Sequence, residues 1–91
     1  MLKVAFDVDS TLIKMNEQGE NVPRHEVIDL FRKFESFGCA MHIWSGSGVD
    51  YAARWRDKLG LSAVVVAKGS FLPDLAVDDM DVELGKVNLK V

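Results

Sequence analysis

The chain has 91 residues, 48% hydrophobic and 27% charged, which is enough for one small domain with a modest core. Its net charge of −3 gives no clear nucleic-acid footprint, although a local basic patch is compatible with that value. The single cysteine, Cys39, excludes an internal disulfide, and the lack of a ~20-residue apolar run or a signal-peptide pattern predicts a cytoplasmic protein that does not enter a membrane.

The first predicted element is a strand at residues 2–8, where apolar and polar side chains alternate. Residues 12–22 then form either a short flap-like hairpin over the end of this strand or a polar loop, because Asn16-Glu17-Gln18-Gly19 is typical of a turn. A helix follows, with Pro23 in its first turn and Gly38 at its end. Its core-facing stripe consists of Val27, Leu30, Phe31, Phe34 and Phe37.

The second half of the chain continues this alternation. Residues 39–44 are an apolar run, and Ser47 with Asp50 forms a capping box that begins a second helix. Residues 63–67 lack polar alternation, which is typical of a strand buried on both faces. Two further short strands are predicted at 75–77 and 87–91. The order of strands and helices predicts an α/β fold with a mostly parallel sheet.

Polar side chains follow the predicted strands at one edge of this sheet. Asp7 and Asp9 follow the first strand, Ser45 the second, Lys68 the third and the Asp78-Asp79 pair the fourth. Ligands bind to parallel sheets at the carboxyl ends of the strands, beside helix N-termini. Two carboxylates ~4 Å apart repel by about 4 kcal/mol at an effective dielectric of ~20. Such a pair needs a cation, a shared proton or room to move apart.

These residues resemble the motifs of the haloacid dehalogenase-like (HAD) hydrolase superfamily. Asp7-Val8-Asp9-Ser10-Thr11-Leu12 is similar to the first motif and Trp44-Ser45-Gly46 to the second, while Lys68 and Val77-Asp78-Asp79 are similar to the third and fourth. The four motifs occur in family order and cover most of the chain. The resemblance implies a minimal Rossmann-like sheet flanked by helices, forming one domain over residues 1–91.

The resemblance also implies a Mg²⁺-dependent phosphatase that acts through an aspartyl phosphate. Asp7 would be the nucleophile, and Asp9 would protonate the leaving group and later deprotonate water. Ser45, the Gly46 amide and Lys68 would bind the phosphate. Asp9 favours a hydrolase, since family members that pump ions have threonine at the corresponding place.

The implied magnesium ligands are the side chain of Asp7, the backbone carbonyl of Asp9 and one member of the Asp78-Asp79 pair. We favour Asp79 as the direct ligand and Asp78 as the partner of the phosphate-binding lysine. Lys58 is the alternative to Lys68 as that lysine. Lys58 lies late in a predicted helix, where a cation usually interacts with the helix C-terminus. We therefore favour Lys68.

Two features depart from the common family pattern. Ser10 stands where glycine is most frequent in the first motif. The short gaps between motifs leave no room for a cap domain, so an open site implies a large or partner-covered substrate. The resemblance allows a phosphorylated protein, a nucleic-acid phosphate terminus or a glycan phosphate, and also a small ester if a homo-oligomer covers the site. The alternative is a non-catalytic or phospho-acceptor regulatory module on the same scaffold.

Overall fold

A five-stranded parallel sheet with β1 at its centre is the framework of the computed structural model, which describes residues 1–91. The strands lie in the order β5-β4-β1-β6-β7, and β2 pairs only with β3. The predicted α/β class with a parallel sheet is therefore confirmed. In chain order the elements are β1 (Lys3–Asp7), β2 (Ile13–Met15), β3 (Asn21–Pro23), α1 (His25–Ser36), β4 (Ala40–Trp44), α2 (Val49–Leu59), β5 (Val64–Val65), β6 (Leu75–Asp78) and β7 (Val87–Lys90).

Of the two alternatives for residues 12–22, the structure contains the hairpin. Strands β2 and β3 pair in antiparallel register, with Ile13 opposite Pro23. The prediction that Pro23 lies in the first turn of a helix is wrong, because this residue ends β3 and α1 begins two residues later. Arg24 joins hairpin and helix: its N–H donates to the Leu12 carbonyl at 2.9 Å, and its Nη1 donates to the Ser10 carbonyl at 2.8 Å.

Both helices pack on the same face of the sheet. Phe6 of β1 projects from this face and meets Phe31 of α1 edge to face, with ring centroids 5.2 Å apart, while Ala52 of α2 belongs to the same buried cluster. The prediction that Phe37 also faces the core is wrong. Its side chain is 80% exposed because α1 ends at Ser36, so Phe37 is no longer on the helical stripe. Neither helix is long and apolar enough to cross a membrane.

Loops rather than helices cover the opposite face. A small core of Ala5, Trp44 and Ala76 lies there, with Phe71 packed on Trp44 at a centroid distance of 5.7 Å. Right-handed crossovers explain the asymmetry. The path from β1 through β4 to β5 runs in one direction and places both helices on one face. The return from β5 to β6 runs the other way and must cross the second face, which it does as a loop.

The prediction that residues 63–67 are buried on both faces is wrong. Strand β5 is a two-residue edge strand whose only neighbour is β4, and the Val64 side chain is 59% exposed. An uninterrupted β-branched run indicates a strand but does not show its place in the sheet. Strand β7, the other edge, is exposed along its whole length.

The chain makes a tight turn directly after β1. The Val8 carbonyl accepts hydrogen bonds from the N–H groups of Thr11, Leu12 and Ile13, at 3.1, 3.0 and 3.2 Å. Within this turn, Ser10 has a φ of 60° and is the only non-glycine residue with positive φ. Glycine would be favoured at position 10 for a backbone reason, since this left-handed conformation costs roughly 1–2 kcal/mol for a residue with a Cβ atom.

We expect Ser10→Gly to raise the free energy of unfolding by up to about 1 kcal/mol, because relief of the left-handed strain exceeds the extra entropy of the unfolded chain. Urea denaturation measures this change. Ser62→Gly is the matched control, since Ser62 is also an exposed serine outside helices and strands but has no positive φ. A Ser10→Gly protein no more stable than Ser62→Gly would contradict the argument.

Candidate functional site

The parallel register brings the ends of neighbouring strands to one edge. Asp7 ends β1 and pairs with Trp44 at the end of β4, while Asp78 ends the adjacent strand β6. Carboxylate oxygens of Asp7, Asp78 and Asp79 all lie within 4.8 Å of one another. Three of the acidic residues singled out from the sequence therefore form one cluster, although up to 72 positions separate them along the chain.

Lys68 is the cation of this cluster. Its Nζ donates to Asp7 Oδ1 at 3.0 Å and to Asp78 Oδ2 at 2.9 Å, and its side chain is only 26% exposed. Lys58 lies elsewhere, with its Nζ 4.9 Å from the centre of the Trp55 ring. The structure thus places Lys68, the lysine that we favoured, beside the acidic residues and keeps Lys58 on the surface of α2.

Thr11 adds a hydroxyl that the sequence reasoning did not assign to the site. Its Oγ1 lies 3.2 Å from Asp7 Oδ2 and 3.2 Å from Asp79 Oδ1, and the residue is completely buried. A hydroxyl has one proton and donates to one of these oxygens at a time. The turn after β1 folds Thr11 back over Asp7. Its place within the first motif was visible in the sequence, but the turn that gives it these contacts was not.

The two members of the Asp78-Asp79 pair have different surroundings. Both oxygens of Asp78 are engaged, since Oδ2 accepts from Lys68 and Oδ1 accepts from the Met80 N–H at 2.9 Å. Asp79 accepts only from Thr11 and is less buried. More of its lone pairs are free, so Asp79 is the better placed of the two to bind a cation.

The charges of the cluster do not balance. With every group ionised, three carboxylates face one ammonium, which leaves two unpaired negative charges. Hard divalent cations such as Mg²⁺ bind carboxylate oxygens and retain several waters. The donor set of Asp7, Asp78 and Asp79 fits such an ion, because it consists only of oxygen and one side of it is partly open to solvent.

Burial dominates the electrostatics of Asp7. Removal from water is the largest cause that raises the pKa of this carboxyl, the hydrogen bond from Lys68 opposes it, and the charge of Asp78 raises the pKa further, to about 6. Burial also disfavours the charged form of Lys68, but its hydrogen bonds to Asp78 and Asp7 outweigh this, so its pKa lies above the ordinary value. Lys68 therefore stays cationic throughout the pH range in which Asp7 titrates.

Ser45 and Gly46 lie at the end of β4, at the same edge of the sheet. Ser45 is 3% exposed, and its Oγ accepts the Ser47 N–H at 3.0 Å, while no protein atom accepts its own proton or the Gly46 N–H. The predicted capping box is wrong, because the Ser47 hydroxyl makes no cap contact. The N-cap of α2 is Gly48, with φ 106° and ψ 169°, a conformation essentially restricted to glycine.

Asp9 lies outside the acidic cluster. It is exposed, and its Oδ1 accepts a hydrogen bond from the hydroxyl of Tyr51, which lies in the first turn of α2. Burial is the main cause that raises the pKa of Tyr51, and the hydrogen bond and charge of Asp9 raise it further. The sequence reasoning missed Tyr51. The available signal was its position six residues after Ser45, at the start of a helix that begins at this edge.

Comparisons with known proteins assign nothing to this arrangement. No family model matches the chain, and neither a curated protein nor a solved structure matches it. The chemistry that the site can support therefore follows from its own groups. A buried carboxylate beside an ammonium, two further carboxylates and free hydroxyl and amide donors can hold a divalent cation and an oxyanion side by side.

The raised pKa of Asp7 has a consequence for stability. Between pH 3.8 and about 6 the folded protein binds more protons at Asp7 than the unfolded chain does. This stabilising contribution is fully present below pH 3.8 and is lost as the pH rises through about 6. In metal-free buffer we expect the wild type to lose up to about 3 kcal/mol between pH 4 and pH 7.5 relative to Asp7→Asn.

Urea denaturation of both proteins in the presence of a chelator measures this difference. The contributions of the other titrating groups to the free energy of unfolding largely cancel in the comparison. Asp29→Asn is the control, because Asp29 is an exposed aspartate of α1 without a charged partner. Its stability should follow that of the wild type across the same range. A wild-type protein that gains stability over Asp7→Asn as the pH rises would show that burial does not dominate at Asp7.

Proposed function

We propose that the chain is a Mg²⁺-dependent phosphohydrolase of the HAD type, which hydrolyses a phosphomonoester through an aspartyl phosphate on Asp7. One observation carries the proposal: the Asp7 carboxylate lies 3.0 Å from Lys68 Nζ and within 4.8 Å of oxygens of Asp78 and Asp79. Phosphoryl transfer depends mainly on positioning and on neutralising the phosphoryl charge. A carboxylate that could act as the nucleophile, an ammonium group and carboxylates that could bind a cation lie together in this cluster.

In the first step, a carboxylate oxygen of Asp7 attacks phosphorus while the ester P–O bond breaks. Asp9, as a carboxylic acid, donates its proton to the departing oxygen, and the alcohol leaves. Lys68 offsets the negative charge that the phosphoryl group brings to Asp7. The Ser45 hydroxyl and the Gly46 N–H, whose protons have no acceptor within the chain, donate to the phosphoryl oxygens.

In the second step, water attacks phosphorus and the bond between phosphorus and Asp7 breaks. Asp9, now a carboxylate, accepts the proton of that water, so inorganic phosphate leaves and the Asp7 carboxylate is restored. Asp7, Asp79 and the Asp9 backbone carbonyl would hold Mg²⁺, with Asp78 as the partner of Lys68. When bound, the ion would supply Lewis-acid neutralisation of the phosphoryl oxygens.

The proposed substrate is large or is covered by a partner. Between β1 and α1 the chain forms only the hairpin, and between β4 and β5 it forms only α2, so neither segment supplies a cap domain over the site. This supports a capless HAD-type arrangement with an open phosphate site. A phosphate on a macromolecule has access to such a site without a lid, whereas tight binding of a small physiological ester would need a second copy of the chain as its cover.

We expect Mg²⁺ to raise the melting temperature of the wild type, because an ion that binds the folded state alone stabilises it by mass action. Asp79→Asn should remove most of this shift by removing a ligand. Asp81→Asn is the matched control, since Asp81 is an exposed aspartate two positions further on and lies outside the cluster. Equal shifts for the two variants would contradict a metal role for Asp79. Differential scanning fluorimetry with and without Mg²⁺ measures both.

Turnover of p-nitrophenyl phosphate in the presence of Mg²⁺ tests the function. We expect Asp7→Asn to be inactive and Lys68→Met to lower kcat/KM by roughly 10²-fold, the usual effect of losing one group that neutralises an oxyanion. Lys58→Met, which removes the same charge from the surface of α2, should stay within about twofold of the wild type. Wild-type turnover no greater than that of Asp7→Asn would contradict the proposal. A stable phosphoryl group on Asp7 without turnover would favour the phospho-acceptor alternative.

A further inference from the structure

The Asp9 side chain makes one hydrogen bond within the chain, and its partner is Tyr51. The Tyr51 hydroxyl donates to Asp9 Oδ1, and no other hydrogen bond or ion pair includes this carboxylate. The backbone of Asp9 is fixed by the turn after β1, but its exposed side chain would otherwise rotate freely. Tyr51 is therefore the only protein group that hydrogen-bonds to the Asp9 carboxylate.

Tyr51 itself is held in place by packing. It lies half-buried against the main hydrophobic core, in the first turn of α2. The same helix begins at Val49, with Gly48 as its N-cap, directly after the loop that presents Ser45 and Gly46. One rigid element thus joins the proposed phosphate-binding loop to the group that orients Asp9.

The hydrogen bond also makes the two oxygens of the Asp9 carboxylate inequivalent. Oδ1 is occupied by the Tyr51 hydroxyl, while Oδ2 has no protein partner. A carboxyl group that transfers a proton needs one free oxygen at a defined position, because proton transfer requires hydrogen-bond distance to the reacting atom. Holding a reacting group in one orientation can supply a large part of a rate enhancement.

We propose that Tyr51 is a positioning residue that holds Asp9 with its Oδ2 toward the leaving group of the substrate. This inference rests on the proposed function, since it concerns the acid of that reaction. Tyr51 takes no part in bond making. Its hydroxyl acts only through the orientation of Asp9.

Tyr51→Phe removes the hydroxyl and keeps the ring that packs in the core, so kinetics of this variant test the proposal. Phenyl phosphate and p-nitrophenyl phosphate are nearly the same size, but the phenolate leaves less readily and needs the proton of a general acid more. We expect Tyr51→Phe to lower kcat/KM about tenfold for phenyl phosphate, a fraction of the ~10²–10⁴ that general acids contribute. For p-nitrophenyl phosphate the decrease should stay below about threefold. The ratio kcat/KM reports the steps up to phosphoryl transfer, before hydrolysis of the aspartyl phosphate.

Asp9→Asn supplies the control, because it removes the group that Tyr51 is proposed to position. In this background Tyr51→Phe should cause no further loss with phenyl phosphate, since the two residues act as one unit. Circular dichroism and thermal melting of each variant establish that its fold is intact.

Three outcomes would overturn the positioning role. Equal losses with both esters would show that Tyr51 has a structural role only, while the phosphatase function would stand. An additional loss in the Asp9→Asn background would show that Tyr51 acts by another route. Absence of wild-type turnover with either ester, by contrast, would overturn the proposed function and the positioning role together.

Discussion

Repulsion among three carboxylates is the constraint on which the rest of this structure depends. The parallel register places the last residues of β1 and β6 side by side, so Asp7 and Asp78 are close by construction, and Asp79 follows at once. Lys68 offsets part of this charge by donating to two of the three. That lysine comes from beyond β5, on the far side of β4, and reaches the aspartates only because the chain crosses back over the sheet. The topology of the chain therefore brings the one counter-charge to the acidic edge.

Asp7 and Asp9, which have one residue between them, have different environments because the chain turns after β1. Asp7 is buried at the end of β1, with an ammonium and a hydroxyl as partners, whereas Asp9 is exposed and has a phenol as its partner. Such divergence lets two identical side chains take different chemical roles in one site. The left-handed conformation of Ser10 is part of this turn, so local backbone strain lies beside the residues whose geometry matters most.

The α/β class, the parallel sheet and the edge at which Asp7, Lys68 and Asp78 meet could be predicted from the sequence, because strand ends in parallel sheets follow a general rule. Details decided by tertiary packing could not. The exposure of Phe37 depends on where α1 ends, and the edge position of β5 depends on the strand order. The contact between Asp9 and Tyr51 joins two segments 42 positions apart, and no periodicity in the sequence links these two residues. The periodicity of apolar residues predicts which face of a helix or strand a side chain lies on, but it does not predict which group that side chain contacts.

The uneven covering of the sheet has a consequence for the site. The segment that carries Lys68 crosses a face without a helix, and its aromatic anchor there is Phe71, which packs on Trp44 and His42. Segments with few buried apolar contacts open at lower free energy than packed helices and strands do. Release of this aromatic anchor would withdraw the counter-charge of Asp7 and Asp78 while admitting water to both. Local unfolding of the loop and loss of charge neutralisation at the acidic edge would then occur together.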